Sequence, residues 1–269
     1  MPPTTPPAAN LPPVRLLHHL ARTGGTVISQ CLAVMPRVVL LSEIHPLAVA
    51  KMNPVKQVTS WYDVLTPADQ RRVQANPNMP FVDAVELINR RCTERNLLLV
   101  IRDWNHLDYM GRPYIANPTG RLFTAETLAP KLRGVPFTTV RHPLDQWMSL
   151  VKLPKIETSL PLELFLKGCA DFAQEAVRIG FVRYEDFTKD PAAAMKTICE
   201  RLEVPFDPTF VDRWWKYTKV TGDTQGSRGG KEQIVPLERR PVAPALLERF
   251  GQNASYRRTL ELLGYEHPK

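Results

Sequence analysis

Residues 22–26, Arg-Thr-Gly-Gly-Thr, gather a fixed positive charge, two hydroxyls and a glycine pair in one short stretch. An apolar run, Val14 to Leu20, precedes it, and Val27, Ile28, Cys31, Leu32 and Met35 follow at helical spacing. Strand, glycine turn and helix aim several backbone N–H groups and a helix N-terminus at one point. Such a point suits a phosphate or a sulfate. Thr23 and Thr26 add hydroxyl donors, and Arg22 adds charge at the mouth. The turn lacks the Gly-Lys-Ser/Thr ending of a Walker A loop, because Thr26 follows Gly25 directly.

Three later stretches carry compatible chemistry. Arg141 ends the apolar run Phe137–Val140, and Ser149 stands two turns into the helix that Pro143 opens, whose buried stripe is expected to be Leu144, Trp147, Met148 and Val151. An arginine fork and a serine hydroxyl at that spacing can share one phosphate. Tyr184-Glu185-Asp186 ends a short strand at Phe181–Arg183. Gly226-Ser227-Arg228-Gly229-Gly230-Lys231 is a basic, glycine-rich loop whose glycines let the backbone approach a ligand closely and in which Arg228 or Lys231 would supply charge.

These residues need a scaffold that brings strand ends together. Apolar runs at 14–20, 38–41, 97–101, 137–140 and 181–183 alternate with helical patterns, which predicts a doubly wound α/β fold. We expect a three-layer α/β/α domain over 14–269 with a central, mostly parallel five-stranded sheet. Insertions beside the crevice are expected at about 46–80, as a cap with short helices, and at about 105–130, beginning with a polar, aromatic loop; Pro208–Tyr217 is expected to form a short helix. The Pro-rich residues 1–13 read as a disordered tail, and residues 218–242 as a mobile loop. In a parallel sheet the strand carboxyl ends face the ligand. Glu43 and His45 end the second strand and would arrive beside the turn if that strand neighbours the first; Asp103 and His106 follow the third. His18 and His19 lie inside the first strand and read as packing residues.

Composition narrows the class. With 43% hydrophobic and 23% charged residues the chain is globular, and its net charge of +8 suits a polyanionic ligand. None of the four cysteines falls in a CxxC pair, so neither a metal site nor a disulfide framework is expected. No apolar run approaches the roughly 20 residues that span a bilayer. The N-terminus lacks the pattern of a signal peptide. A cytoplasmic protein without membrane or nucleic-acid partners is the expectation, with the oligomeric state open.

His19-Leu20-Ala21-Arg22-Thr23-Gly24-Gly25-Thr26 resembles the H-x-P-K-T-G-G-T loop of sulfotransferases, with Ala21 for proline and Arg22 for lysine. Val140-Arg141-His142-Pro143 with Ser149, the Tyr184 segment and the late glycine loop follow in that family's order. The resemblance covers residues 14 to about 231. It implies a P-loop-kinase-like fold and the donor PAPS (3′-phosphoadenosine 5′-phosphosulfate), with adenosine 3′,5′-bisphosphate as product. It further implies that the 22–26 turn holds the phosphosulfate and that Arg141 and Ser149 hold the 3′-phosphate. Tyr184 would meet the adenine region, and Ser227 and Arg228 would fold over the nucleotide. Relatives place a base as a histidine after the third strand or a glutamate after the second, so Glu43, Asp103 and His106 all stay in play. Arg22 could act only electrostatically, since arginine does not give up its proton. The acceptor would be a hydroxyl or amine of a small molecule or carbohydrate. Two alternatives from other classes remain at this point: a P-loop-type kinase using ATP, and a non-catalytic nucleotide-binding relative.

Overall fold

The computed structural model describes residues 11–153, 156, 158–222 and 233–268. Its centre is a five-stranded sheet, entirely parallel, in the order β2-β3-β1-β4-β5. The strands are β1 (Pro13–His19), β2 (Val38–Ile44), β3 (Leu98–Asp103), β4 (Arg133–Val140) and β5 (Phe181–Arg183). Chain order runs outward from β1 to β2, back to β3 beside β1, then across to β4. The turn after β1 therefore opens at the point where the winding reverses, between the carboxyl ends of β3 and β4, where α/β folds bind ligands.

Side-chain alternation divides the sheet between two helical layers. Leu17, Leu40, Val100 and Phe137 pack under α1 (Gly25–Ala33) and a helix at Pro191–Arg201. Val14, Leu16, Val39, Leu41, Leu99 and Ile101 face the other way. Two cap-side helices cover them, Pro54–Trp61 and Phe81–Glu94. On the β4 side that second layer is completed by helices at Leu162–Ile179 and Ala254–Leu263. Capping follows local chemistry. Asp190 accepts from Ala193 N at 3.0 Å ahead of Pro191, and the Pro67–Ala75 helix opens on a reciprocal Thr66/Asp69 box, to which Arg91 adds a two-pronged ion pair.

Some elements differ from the sequence reading. β4 begins at Arg133 rather than Phe137, because Arg133–Pro136 pair in register with Pro13–Leu16. The loop expected after β3 contains two short helices, His106–Tyr109 and Phe123–Leu128, and the segment 208–217 forms 3₁₀ turns. Among the described residues no helix is long and apolar enough to cross a membrane. Cys31, Cys92, Cys169 and Cys199 are buried and unpaired. Burial raises all four thiols, Cys92 and Cys199 to about 12.

Candidate active site

A cavity of about 650 Å³ opens over the carboxyl ends of β1, β2, β3 and β4. Its floor is the turn between β1 and α1. Gly24 has φ +85° and Arg22 has φ +68°, both left-handed, and Gly24 caps α1 without a side-chain acceptor. The first amides of α1 are thus left for a ligand. No acidic side chain stands in the first turn of α1 to compete. A Cβ on Gly24 would collide with the Tyr184 ring, and one on Gly25 with the His19 imidazole. Both glycines are therefore dictated by space. Thr26 lines the cavity, whereas Thr23 does not. The Thr23 hydroxyl donates to Leu20 O at 2.8 Å beneath the turn, so the expectation that it presents a donor at the mouth is corrected.

The second anchor meets the first directly. Arg22 Nε donates to Ser149 Oγ at 2.9 Å, and Arg141 donates to Arg22 O at 3.0 Å while lying 4.8 Å over the Tyr184 ring. Four residues spread over 163 positions of sequence converge on one wall. Ser149 stands on α7, our seventh helix in chain order (Pro143–Leu150). The sequence reading put Trp147 and Met148 on the buried stripe of this helix. They are only half-buried, and Ser149 is buried instead, because its face turns to Arg22. Ser227 and Arg228 lie outside the described residues.

The opposite wall carries Glu43, Arg102, Trp104, His106 and Tyr114. The β2–β3 register shifts between Ser42 and Ile44, and Glu43 takes φ +56°, a strained value for glutamate. That kink presents its carboxylate to the cavity. Arg102, which the sequence reading did not single out, is nearly sealed. It donates to His19 Nε2 at 3.0 Å, to Ser42 Oγ at 3.1 Å, to Thr221 O at 2.9 Å and to Glu43 Oε1 at 3.4 Å. Burial lowers its guanidinium pKa and Glu43 partly restores it. Burial, and then Arg102, push the His19 imidazole well down, so it stays neutral and accepts from Arg102 while bracing Gly25. His19 is thus more than packing.

His106 donates from Nε2 to Arg112 O at 2.7 Å, which leaves a lone pair on Nδ1 with no hydrogen-bond partner. Burial lowers its pKa, so it is neutral at pH 7. Its edge meets Tyr114, whose ring lies 4.9 Å from Trp104.

Asp103 is in a different place from the one the sequence suggested. Adjacent strand residues point to opposite faces. With Arg102 turned to the cavity, Asp103 turns away and is fully buried. It accepts from His18 Nδ1 at 2.9 Å, Thr124 Oγ1 at 2.7 Å, Asn105 Nδ2 at 2.8 Å and its neighbour Trp104 N at 2.7 Å. Burial pushes the Asp103 carboxyl up, but the His18 hydrogen bond and the other donors bring it below the ordinary value. The network continues from Asn105 to Asp108, which accepts from His45 Nε2 at 3.0 Å. His45 is therefore not beside the turn. The ligating atoms of His45, Asp103 and Asp108 lie within 4.8 Å of one another, yet hydrogen bonds to protein already occupy them. The network fixes the start of the loop that carries Trp104 and His106.

No protein-family model and no curated protein matches this chain. Solved structures do. The sulfotransferase domain from the Synechococcus PCC 7002 olefin synthase aligns with 96% of this chain and 97% of its own, at 18% identity and a TM-score of 0.70. The sulfotransferase domain from the curacin biosynthetic pathway aligns over 96% and 99%, at 16% identity and a TM-score of 0.63. The chain has the fold of these domains over nearly its whole length.

Proposed function

We propose that this protein is a PAPS-dependent sulfotransferase that moves a sulfuryl group to a hydroxyl, or an amine, of a small-molecule acceptor. The observation that carries the reading is the junction of the glycine turn with Arg141, Ser149 and Tyr184 in one cavity. The shared fold supports it independently. The residues fit an anionic nucleotide: the turn offers uncapped amides, both glycines are sterically required, and Arg22 and Arg141 bring charge to one wall.

The transfer forms a bond from the acceptor oxygen to sulfur and breaks the sulfur–oxygen bond to the phosphate. In our reading the amides of α1, Thr26 and Arg22 neutralise charge that grows on the oxygen being released. Arg22 stays protonated throughout and acts as a fixed charge. Arg141, Ser149 and Tyr184 hold the nucleotide end. Glu43 takes the acceptor's proton, because the kink in β2 brings its carboxylate into the cavity. Neutral His106 stands next to that path. Asp103 has no part in it, being enclosed on the far face of β3.

Thermal melting with nucleotides tests the reading. Adenosine 3′,5′-bisphosphate should stabilise the protein strongly and AMP weakly, because the second anchor answers to a 3′-phosphate. Stabilisation by ATP with magnesium in preference to the bisphosphate would replace this reading with a kinase.

A further inference from the structure

The cavity lining mixes polar and apolar groups and contains a cation whose partner is not a carboxylate. Met52, Met148, Leu150, Leu153, Ile156 and Leu237 supply apolar surface. Lys51 stands on the same cavity lining, with Nζ 5.0 Å from the centroid of the Tyr114 ring. Among the described residues no carboxylate pairs with it, whereas Lys131 on the opposite side of the fold is paired with both Asp83 and Glu86. An ammonium held over an aromatic face keeps its hydrogen-bond donors available. Tyr114 is itself held against Trp104 and His106, so the position of Lys51 is tied to the aromatic group next to the proposed base.

We infer that the acceptor is an anionic amphiphile: an apolar body that lies along these methionine and leucine side chains of the cavity, with a carboxylate or phosphate that Lys51 binds. This inference rests on the sulfotransferase reading for the reacting end of the acceptor. Recognition of the far end stands on Lys51 and its surroundings. A neutral acceptor would leave Lys51 with water alone, and a cationic one would meet repulsion from both Lys51 and Arg102.

The test uses medium-chain ω-hydroxy compounds that differ only in the distal group: carboxylate, phosphate monoester, methyl ester and ammonium. Dissociation constants are measured by calorimetry on the protein saturated with adenosine 3′,5′-bisphosphate and on the nucleotide-free protein. The carboxylate or the phosphate probe should bind about tenfold more tightly than the methyl ester, and the ammonium probe weakest of all. Lys51→Ala should erase the difference, and Lys51→Glu should turn the order toward the ammonium probe. Lys51 is exposed, so these variants keep the fold. Equal affinity for all probes, no binding of any, or an anion preference that survives in Lys51→Ala would overturn the inference. Failure of the bisphosphate to bind would instead count against the sulfotransferase reading, and the order of the probes is still read on the nucleotide-free protein.

Discussion

The two walls of the cavity are built by different means. On the wall we propose for the nucleotide, a short turn, one helix N-terminus and residues at the ends of β4 and β5 do the work, and much of the surface is backbone. On the opposite wall, side chains rest on side chains. Trp104 and His106 take their places from a loop pinned by His18, Asp103, Asn105, Asp108 and His45, a network drawn from three strands' ends and the segments between them. The first kind of wall depends on a few positions that must be glycine or carry a particular charge. The second depends on many hydrogen bonds that are satisfied together, and a single loss leaves buried groups unpaired. Arg102 joins the two, reaching His19 under the turn and Glu43 on the far side.

The sharpest way to break this comparison is at Gly25. Gly25→Ala puts a methyl into the His19 imidazole. We expect stabilisation by adenosine 3′,5′-bisphosphate to vanish and turnover to fall by about two orders of magnitude or more, with the circular-dichroism spectrum retained. Normal nucleotide binding by this variant would show that the turn is not the binding element.

The next test separates two carboxylates that end neighbouring strands. Asp103→Asn should cost about 2–3 kcal/mol of stability in denaturant melts, because it mismatches donors in a dry network. Glu43→Gln keeps an acceptor for Arg102 and should cost less, about 1 kcal/mol, while lowering turnover about a hundredfold. Exchange of these two outcomes would reverse the assignment of structural and catalytic roles.

A third test concerns pH and the buried histidines. His142, which caps α7, is held at about 4 by burial, and His19 and His106 are also lowered by burial. A histidine whose folded pKa lies below its unfolded value contributes its full stability above about pH 6.5. That contribution is lost as pH falls toward the folded pKa. Melting temperature should therefore drop between about pH 6.5 and 4. His142→Asn, which can still cap the helix, should recover roughly 2–3 kcal/mol of the loss at the acid end. A pH profile unchanged by that substitution would mean that His142 is accessible to protons in the folded state.

The same contrast explains what the sequence made legible. The turn, Arg141 with Ser149, and the alternation of strands and helices depend on short-range spacing, and they were readable without a structure. Asp103 stayed among the candidate bases because a strand-end carboxylate looks the same whichever face it takes. The decisive fact was the neighbouring Arg102, whose long side chain took the cavity face. The Asp103–His18 pairing joins residues 85 positions apart, and spacing carries no trace of it. Thr23 was misread for a related reason, since a hydroxyl in a tight turn can serve the turn itself. Lys51 and Tyr114 stand in segments whose path over the cavity is set by cap helices, and their meeting had no local signal.

The four buried cysteines have a practical consequence for chemical labelling. With every native thiol enclosed and its pKa raised, none is a ready nucleophile at neutral pH. A cysteine introduced at position 51 or 114 would be the fastest-reacting thiol in the folded protein, with no need to remove the others. A maleimide spin label or fluorophore could then be attached selectively at the cavity mouth, and protection of that thiol would report occupancy of the cavity directly.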